Sequence, residues 1–173
     1  MNLEQVLSQT PHFQYIHERL FTSGQPSAIQ LQHIKEYGIS TVINIALSTS
    51  PDHLAHEDQI CLDLGLNYIQ LPILWDMPNP EQAIFALDTI NFLVQEQLVW
   101  IHCSDNYRVS VLMYLYRKFY MNIEQDIAHE QLEQVWQPND TWTGLMHSVA
   151  LQLQGRKATH ELQQSMIQHN DSY

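Results

Sequence analysis

Residues 98–116, LVWIHCSDNYRVSVLMYLY, contain the pattern that decides the fold of this chain. The apolar run at 98–101 predicts a buried strand. The residues after Arg108 repeat apolar side chains at helical spacing: Val109, Leu112, Met113 and Tyr116. The polar residues 102–108 lie between the strand and the helix. The first amides of a helix lack internal partners and the helix dipole adds positive charge there, so this junction is typical of an anion site.

Cys103 is the candidate nucleophile at this junction. A cysteine reacts as its thiolate, and the amides of a helix start together with Arg108 would stabilise that charge. The sequence therefore predicts that the pKa of the Cys103 thiol lies below its ordinary value. The alternative is a buried structural cysteine at the end of a strand.

The acidic composition restricts the partners of the chain. It has 19 Asp and Glu against seven Lys and Arg, and a formal net charge of −12. This charge argues against nucleic acid and anionic membrane surfaces as partners. Arg108 is the only Lys or Arg between Lys35 and Arg117, so an anionic substrate would depend on Arg108 and on backbone amides.

Length and composition predict one globular domain over residues 1–173, with its core at about 19–154 and a peripheral helix or tail at 155–173. No apolar run is long enough to cross a bilayer, and the N-terminus lacks the pattern of a signal peptide. The two cysteines do not make a disulfide framework. The cytoplasm is therefore the expected location.

Strand and helix patterns alternate along the chain. Strands are predicted at 20–23, 40–47, 67–73 and 98–101. Helices are predicted at 2–9, 27–37, 51–64, 81–97, 122–136, 141–154 and 157–169, with a break at Gly155 and Arg156. This order predicts an α/β fold, a mostly parallel central sheet flanked by helices with a helical C-terminal part. The cysteine would then lie at the carboxyl end of a central strand, where such folds bind ligands.

Residues 102–110 resemble the signature loop of the cysteine-dependent protein tyrosine and dual-specificity phosphatases. In that family His-Cys is followed by five residues, Arg, and Ser or Thr. Here four residues separate Cys103 from Arg108, while Ser110 keeps the family's position counted from Cys103. Asn106 stands where many members have a loop glycine, and Asn tolerates a left-handed backbone. With the Ser-Gly-Gln-Pro turn at 23–26, the loop is similar to a bacterial branch related to the phosphatase-like domain of beta-lactamase hydrolase-like proteins.

The resemblance implies a protein tyrosine phosphatase-like fold and a phosphatase that hydrolyses phosphomonoesters through a phosphocysteine at Cys103, without cofactor or metal. The substrate would be a phosphorylated protein or a small phosphomonoester. Arg108 would grip phosphate oxygens in a bidentate fork, His102 would help to set the thiolate from behind, and Ser110 would donate to the sulfur. The other phosphate-binding positions of the loop are Ser104, Asp105, Asn106 and Tyr107.

Acidic residues affect this interpretation in two places. A carboxylate at Asp105 would repel phosphate and raise the pKa of Cys103, unless its side chain points outward or the site has changed its role. The resemblance also implies a general acid on the loop between the preceding strand and helix, where Asp76 lies. Asp52 and Asp63 are weaker alternatives.

Other interpretations stay open. The displaced arginine and Asp105 favour a catalytically degraded module that binds an anion or a phosphoprotein. A rhodanese-type sulfurtransferase also has a cysteine loop between strand and helix, although the Ser-Gly-Gln-Pro turn and Ser110 argue against it. A metal site would need a third ligand beyond the pair of histidines near Glu57, which are His53 and His56. Three large side chains are interpreted as core rather than as a ligand platform: Trp136, Trp142 and Met146.

Overall fold

The computed structural model describes residues 2–170 and contains a five-stranded sheet with helices on both faces. The strands are β1 (Gln14–His17), β2 (Leu20–Ser23), β3 (Thr41–Asn44), β4 (Asn67–Gln70) and β5 (Val99–His102). The helices are α1 (Leu3–Leu7), α2 (Ala28–Tyr37), α3 (Glu57–Asp63), α4 (Pro80–Leu93), α5 (Tyr107–Phe119), α6 (Gln125–Glu133) and α7 (Asp140–Asn170).

The sheet has the strand order β1-β2-β5-β3-β4. β5 pairs in parallel with β2 and β3, and β3 pairs in parallel with β4. The register aligns His102 with Ser23 on one side and with Asn44 on the other, so the carboxyl ends of three strands meet beside Cys103. The predicted α/β fold with a mostly parallel sheet is confirmed. The antiparallel edge strand β1 was not predicted.

The central strands bury both faces of the sheet. Val42 and Trp100 belong to a core cluster with side chains of α1, α2 and α3, whereas Ile43 and Ile101 belong to a second cluster with side chains of α4 to α7. Successive side chains of a strand point to opposite faces, so an uninterrupted apolar run is what a doubly covered strand requires.

Helix α5 is buried on all sides. Every residue from 108 to 117 is buried, including Arg108, Ser110 and Arg117. The sequence predicted a single apolar face, but α5 contacts α4, α6 and α7 in addition to the sheet. A helix enclosed in this way can hold a loop at its N-terminus in one position.

Several element boundaries differ from the sequence prediction. β3 and α3 are shorter than the predicted 40–47 strand and 51–64 helix. The break at Gly155 and Arg156 is wrong, because α7 continues through both residues to Asn170. A glycine costs an exposed helix only about 1 kcal/mol, and Arg156 pairs with Asp88 of α4 at 3.1 Å.

Two features concern the surface of the chain. Residues 154–169 of α7 are exposed throughout. Within residues 2–170, no helix has both the length and the apolar character needed to cross a membrane.

Candidate active site

Cys103 directly follows β5 and begins the loop that leads into α5. Its side chain is 1 % exposed. The amides of Asp105, Arg108 and Val109 donate hydrogen bonds to its sulfur. Asn106 is the N-cap residue of α5, but its side chain makes no capping hydrogen bond. The sulfur of Cys103 therefore accepts from the first-turn amides that a capping side chain usually satisfies.

The pKa of the Cys103 thiol is shifted in the direction opposite to the sequence prediction. Burial raises the pKa of the thiol and is the largest influence. The hydrogen bonds from the three amides and the charge of Arg108 act in the opposite direction but do not outweigh burial. The expected lowering of the pKa is therefore wrong, because a side chain enclosed by α5 and the sheet loses the water that would solvate its thiolate.

Arg108 lies beside the loop despite its displacement by one residue from the family pattern. Its guanidinium is almost fully buried, and Nη2 donates to Ser104 Oγ at 3.4 Å. Nη1 donates to the carbonyl oxygen of Ile73 at 2.8 Å, where the loop after β4 begins. The guanidinium thus joins the cysteine loop to the loop that carries Asp76, and its charge acts on Cys103.

Asn106 has the left-handed backbone that the sequence predicted, with φ of 64°. Its side-chain amide donates to the carbonyl oxygen of His12 at 2.7 Å and to Thr22 Oγ1 at 3.1 Å. These hydrogen bonds fix the loop at Asn106 against β2 and the segment before β1. Asp105, its neighbour, is exposed, in agreement with an outward-pointing carboxylate.

The Ser-Gly-Gln-Pro turn lies against the cysteine loop. The amide of Gln25 donates to the carbonyl oxygen of Ser104 at 3.0 Å. A Cβ atom at Gly24 would lie 2.7 Å from that same oxygen, so a side chain cannot be placed there without a shift of the loop. The two segments that carry the family resemblance therefore support each other in space.

His102 makes a buried contact that the sequence analysis missed. Its Nε2 lies 2.6 Å from Glu57 Oε1, and both side chains are buried. The other carboxylate oxygen of Glu57 accepts from Asn44 Nδ2 at 3.0 Å and from the hydroxyl of Tyr68 at 3.3 Å. His102 Nδ1 lies 3.4 Å from the carbonyl oxygen of Cys103. These contacts fix the orientation of the imidazole at the end of β5.

Glu57 appeared in the sequence analysis only as a neighbour of two histidines. His53 and His56 are exposed, whereas Glu57 turns inward from the first turn of α3. Across residues 2–170, no three His, Cys, Asp or Glu side chains are grouped as metal ligands. A glutamate at the start of a helix has no sequence signal that would distinguish an inward from an outward side chain.

Ser110 is engaged away from the sulfur. Its hydroxyl donates to the carbonyl oxygen of Tyr107 at 2.7 Å and accepts from Trp136 Nε1 at 3.0 Å. A hydroxyl has one hydrogen to donate, so in this arrangement Ser110 does not donate to Cys103. The side chain stabilises the first turn of α5.

Asp76 is exposed on the loop between β4 and α4. The preceding Trp75 fixes this loop, since its carbonyl oxygen accepts from Trp142 Nε1 at 3.0 Å. The ring of Trp75 lies 5.4 Å from that of Trp136, which stacks on Tyr107 at 4.9 Å. A wall of aromatic side chains therefore connects the Asp76 loop with the start of α5.

The remaining candidates have peripheral positions. Asp52 and Asp63 are exposed, and Asp63 accepts from Gln59 at 2.8 Å. Trp142 and Met146 belong to the core cluster as predicted, and the partly buried Trp136 packs against it.

No protein-family model and no curated protein sequence matches this chain. Solved structures match it closely in shape. A DUF442 protein from Shewanella putrefaciens CN-32 is 24% identical, covers 86% of this chain and 97% of its own, and has a TM-score of 0.76. The core catalytic domain of the PP-IP phosphatase SIW14 from S. cerevisiae is 15% identical over 80% of this chain and 85% of its own, with a TM-score of 0.65.

P. aeruginosa TpbA, solved in complex with pTyr, is 15% identical over 87% of this chain and 93% of its own, with a TM-score of 0.60. The resemblance that the cysteine loop suggested is thus confirmed at the level of the fold. The architecture of this chain is that of the cysteine-based protein tyrosine and dual-specificity phosphatases.

Proposed function

We propose that this chain is a phosphatase that hydrolyses phosphomonoesters through a phosphocysteine at Cys103. The observation that supports the proposal best is the set of three backbone amides directed at the sulfur of Cys103, with the guanidinium of Arg108 beside them. Amides arranged in this way around a helix start stabilise negative charge on a sulfur or on a bound phosphate.

In the proposed first step, the Cys103 thiolate attacks phosphorus, and an S–P bond forms as the bond from phosphorus to the ester oxygen breaks. Asp76 donates a proton to the departing oxygen. Water then attacks the phosphocysteine, Asp76 takes a proton from that water, and phosphate leaves as the thiolate is restored. No electron donor, metal or cofactor takes part in this sequence.

The loop residues divide the remaining work in this proposal. Arg108 pairs with the phosphoryl oxygens, and the amides around Ser104, Asp105 and Tyr107 complete the cradle. His102, held by Glu57, fixes the backbone of Cys103. Arg108 donates to Ile73 and Ser104 through two of its five N–H groups, so phosphate can pair with the remaining three or take the place of one of these acceptors.

The proposed substrate is a phosphorylated protein or a small phosphomonoester. Among the similar structures, TpbA was solved in complex with pTyr, and SIW14 is a PP-IP phosphatase. In this chain, the stacked Tyr107 and Trp136 lie at the start of α5 beside the loop. Their position is compatible with an aromatic or a sugar leaving group.

The test is turnover of an aryl phosphate across pH 5 to 8 by wild type and by Cys103→Ser. Activity in wild type that disappears in the variant would support the proposal. Equal activity in both proteins would contradict it. Formation of a persulfide on Cys103 from thiosulfate would instead indicate a sulfurtransferase.

Two observations favour a second candidate, a module of the same fold that binds phosphate without turnover. Burial raises the pKa of Cys103, and the hydroxyl of Ser110 donates to Tyr107 rather than to the sulfur. This candidate predicts that vanadate or phosphate binds to wild type while no turnover depends on Cys103. Binding measured beside the turnover assay separates the two candidates.

A further inference from the structure

A cleft of about 360 Å³ lies outside the cysteine loop. The segment entering β1, the last turn of α5 and the end of α6 form its walls. Arg117 lines this cleft. None of the side chains that line it is a carboxylate, although acidic residues outnumber basic ones by 19 to seven in the chain.

Arg117 is a buried cation with one unpartnered nitrogen. Its side chain is only 4 % exposed, and its Nη1 has no hydrogen-bond partner among the described residues. Burial lowers the pKa of Arg117 to about 10, and no nearby carboxylate opposes that effect. A buried charge is normally paired because its removal from water is costly, so an unpaired arginine requires an explanation.

Gln14 supplies a second unsatisfied group in the same cleft. Its Nε2 donates to the carbonyl oxygen of Gln131 at 3.3 Å, whereas its buried Oε1 has no partner. Reversing the amide would bring two acceptor oxygens together, so the observed orientation is the favourable one. The residues lining the cleft therefore include a buried cation with an unpartnered nitrogen and a side chain with an unpartnered acceptor oxygen.

We propose that this cleft binds an oxyanion, a phosphate or carboxylate group, that pairs with Arg117 and carries a hydroxyl or amide hydrogen for Gln14. The guanidinium fits a planar or tetrahedral oxyanion better than any neutral group. Both unpartnered atoms are buried, so an anion of this kind would contact them only after the side chains of Arg117 and Gln14 turn towards the cleft. The inference rests on Arg117 and Gln14 and does not require Cys103 to be catalytic.

His12 joins this cleft to the cysteine loop. It lines the cleft, its carbonyl oxygen accepts from Asn106 Nδ2, and its ring lies 5.7 Å from that of Tyr107. The oxyanion could therefore belong to a second anionic group of the substrate or to a separate small molecule. The two sources share the same recognition chemistry, and kinetics can distinguish them.

The test measures inorganic phosphate binding by calorimetry at constant ionic strength, for wild type, Arg117→Met and Arg108→Met. We expect two sites in wild type, and a loss of at least about tenfold in affinity at one of them in Arg117→Met. Arg108→Met should leave that site intact. Lys118→Met removes the same charge from the adjacent position, which does not line the cleft, and should bind like wild type.

A second variant keeps the proposal testable if Arg117→Met does not fold. Gln134 is exposed and lines the cleft, so Gln134→Glu introduces a carboxylate near Arg117 without changing shape. We expect it to raise the melting temperature and to abolish phosphate binding at this site. Gln152→Glu on exposed α7 controls for the change in net charge. Phosphate binding unchanged in Arg117→Met, or in Gln134→Glu, would overturn the proposal.

The source of the anion follows from steady-state kinetics, provided that turnover exists. An aryl phosphate with an added carboxylate should have a higher KM in Arg117→Met than in wild type if the cleft binds a second group of the substrate. An unchanged KM together with the lost phosphate site would indicate a separate small anion. If Cys103→Ser loses turnover but keeps both phosphate sites, the result bears on the catalytic role of Cys103 and not on the cleft at Arg117.

Discussion

Cys61 and Cys103 are both buried, but their surroundings act on them in opposite ways. Burial raises the pKa of each thiol. At Cys61, in α3, the charges of Glu57 and Asp58 add to burial and raise the pKa to about 12. At Cys103, three amides and Arg108 oppose burial. The comparison shows that the orientation of surrounding dipoles and charges, rather than burial, separates a candidate nucleophile from a core thiol.

Replacing each cysteine by serine gives the largest expected difference in kcat between the two sites. If the proposed function is correct, Cys103→Ser lowers kcat by at least about 10³-fold, because the nucleophile is lost. Cys61→Ser should change kcat by less than about twofold. The measurement is aryl phosphate turnover by both variants and wild type. A comparable loss in Cys61→Ser would remove the distinction between the two cysteines.

Replacement of the cation beside Cys103 is expected to have the next largest effect. Arg108→Lys keeps the charge but loses the bidentate fork, so kcat should fall about 10²-fold or more. Arg156→Lys, at an exposed ion pair with Asp88, is the matched control and should retain wild-type kcat. Equal kcat in wild type and Arg108→Lys would exclude a bidentate role for Arg108.

The pH dependence tests the balance at Cys103 directly. Because its thiol pKa is raised, the thiolate fraction is small at neutral pH and grows as pH rises towards that pKa. We expect kcat/KM of Asp76→Asn, measured with an aryl phosphate whose leaving group departs without a proton and corrected for substrate ionisation, to rise about tenfold per pH unit from pH 6 to 8. A plateau over that range would mean that the amides and Arg108 outweigh burial after all.

A methyl group at Gly24 should disturb the loop of Cys103 and leave the helix of Cys61 intact. The new Cβ would lie 2.7 Å from the carbonyl oxygen of Ser104, so Gly24→Ala should lower the free energy of unfolding by about 1–3 kcal/mol. At Gly144 in α7 a Cβ meets nothing within 4 Å, and Gly144→Ala should stabilise by about 0.5–1 kcal/mol. Urea denaturation of both variants provides the comparison, and equal stability changes would contradict it.

The smallest expected effect comes from replacing Glu57, which contacts His102 and whose charge raises the pKa of Cys61. Its charge raises the pKa of Cys61, so Glu57→Gln should bring that pKa down from about 12. The thiolate absorbance at 240 nm, measured in a Cys103→Ser background, would report the change. No shift would mean that the charge of Glu57 does not act on the ionisation of Cys61.

The cysteine loop could be predicted from sequence because its geometry depends on local residue types. Asn106 indicated a left-handed position, and the Ser-Gly-Gln-Pro stretch indicated a turn beside it in the family pattern. Alternating strands and helices were sufficient for the parallel sheet. These features depend on backbone conformation and apolar patterning, which neighbouring residues largely determine.

The features that were missed depend on contacts between distant segments. Glu57 reaches His102 across 45 positions of the chain, and β1 forms because β2 offers it a free edge. The pKa of Cys103 was predicted in the wrong direction because the sequence shows the helix start but not the depth of burial. Likewise, α7 continues through Gly155, and Arg156 pairs there with Asp88 on α4, a contact that the sequence does not show.

Where a bound phosphate takes the Nη1 hydrogen that Arg108 donates to the Ile73 carbonyl, phosphate binding and loop position have a reciprocal thermodynamic relationship. An oxyanion that takes this Nη1 hydrogen leaves the Ile73 carbonyl without its donor. The start of the Asp76 loop is then less strongly bound to Arg108. By linkage, the factor by which the bound anion disfavours the present loop position equals the factor by which fixing the loop there lowers the affinity for the anion. The displacement parameters of the Asp76 loop, relative to those of the core around Trp142, should consequently be higher in a phosphate-bound crystal than in a phosphate-free one.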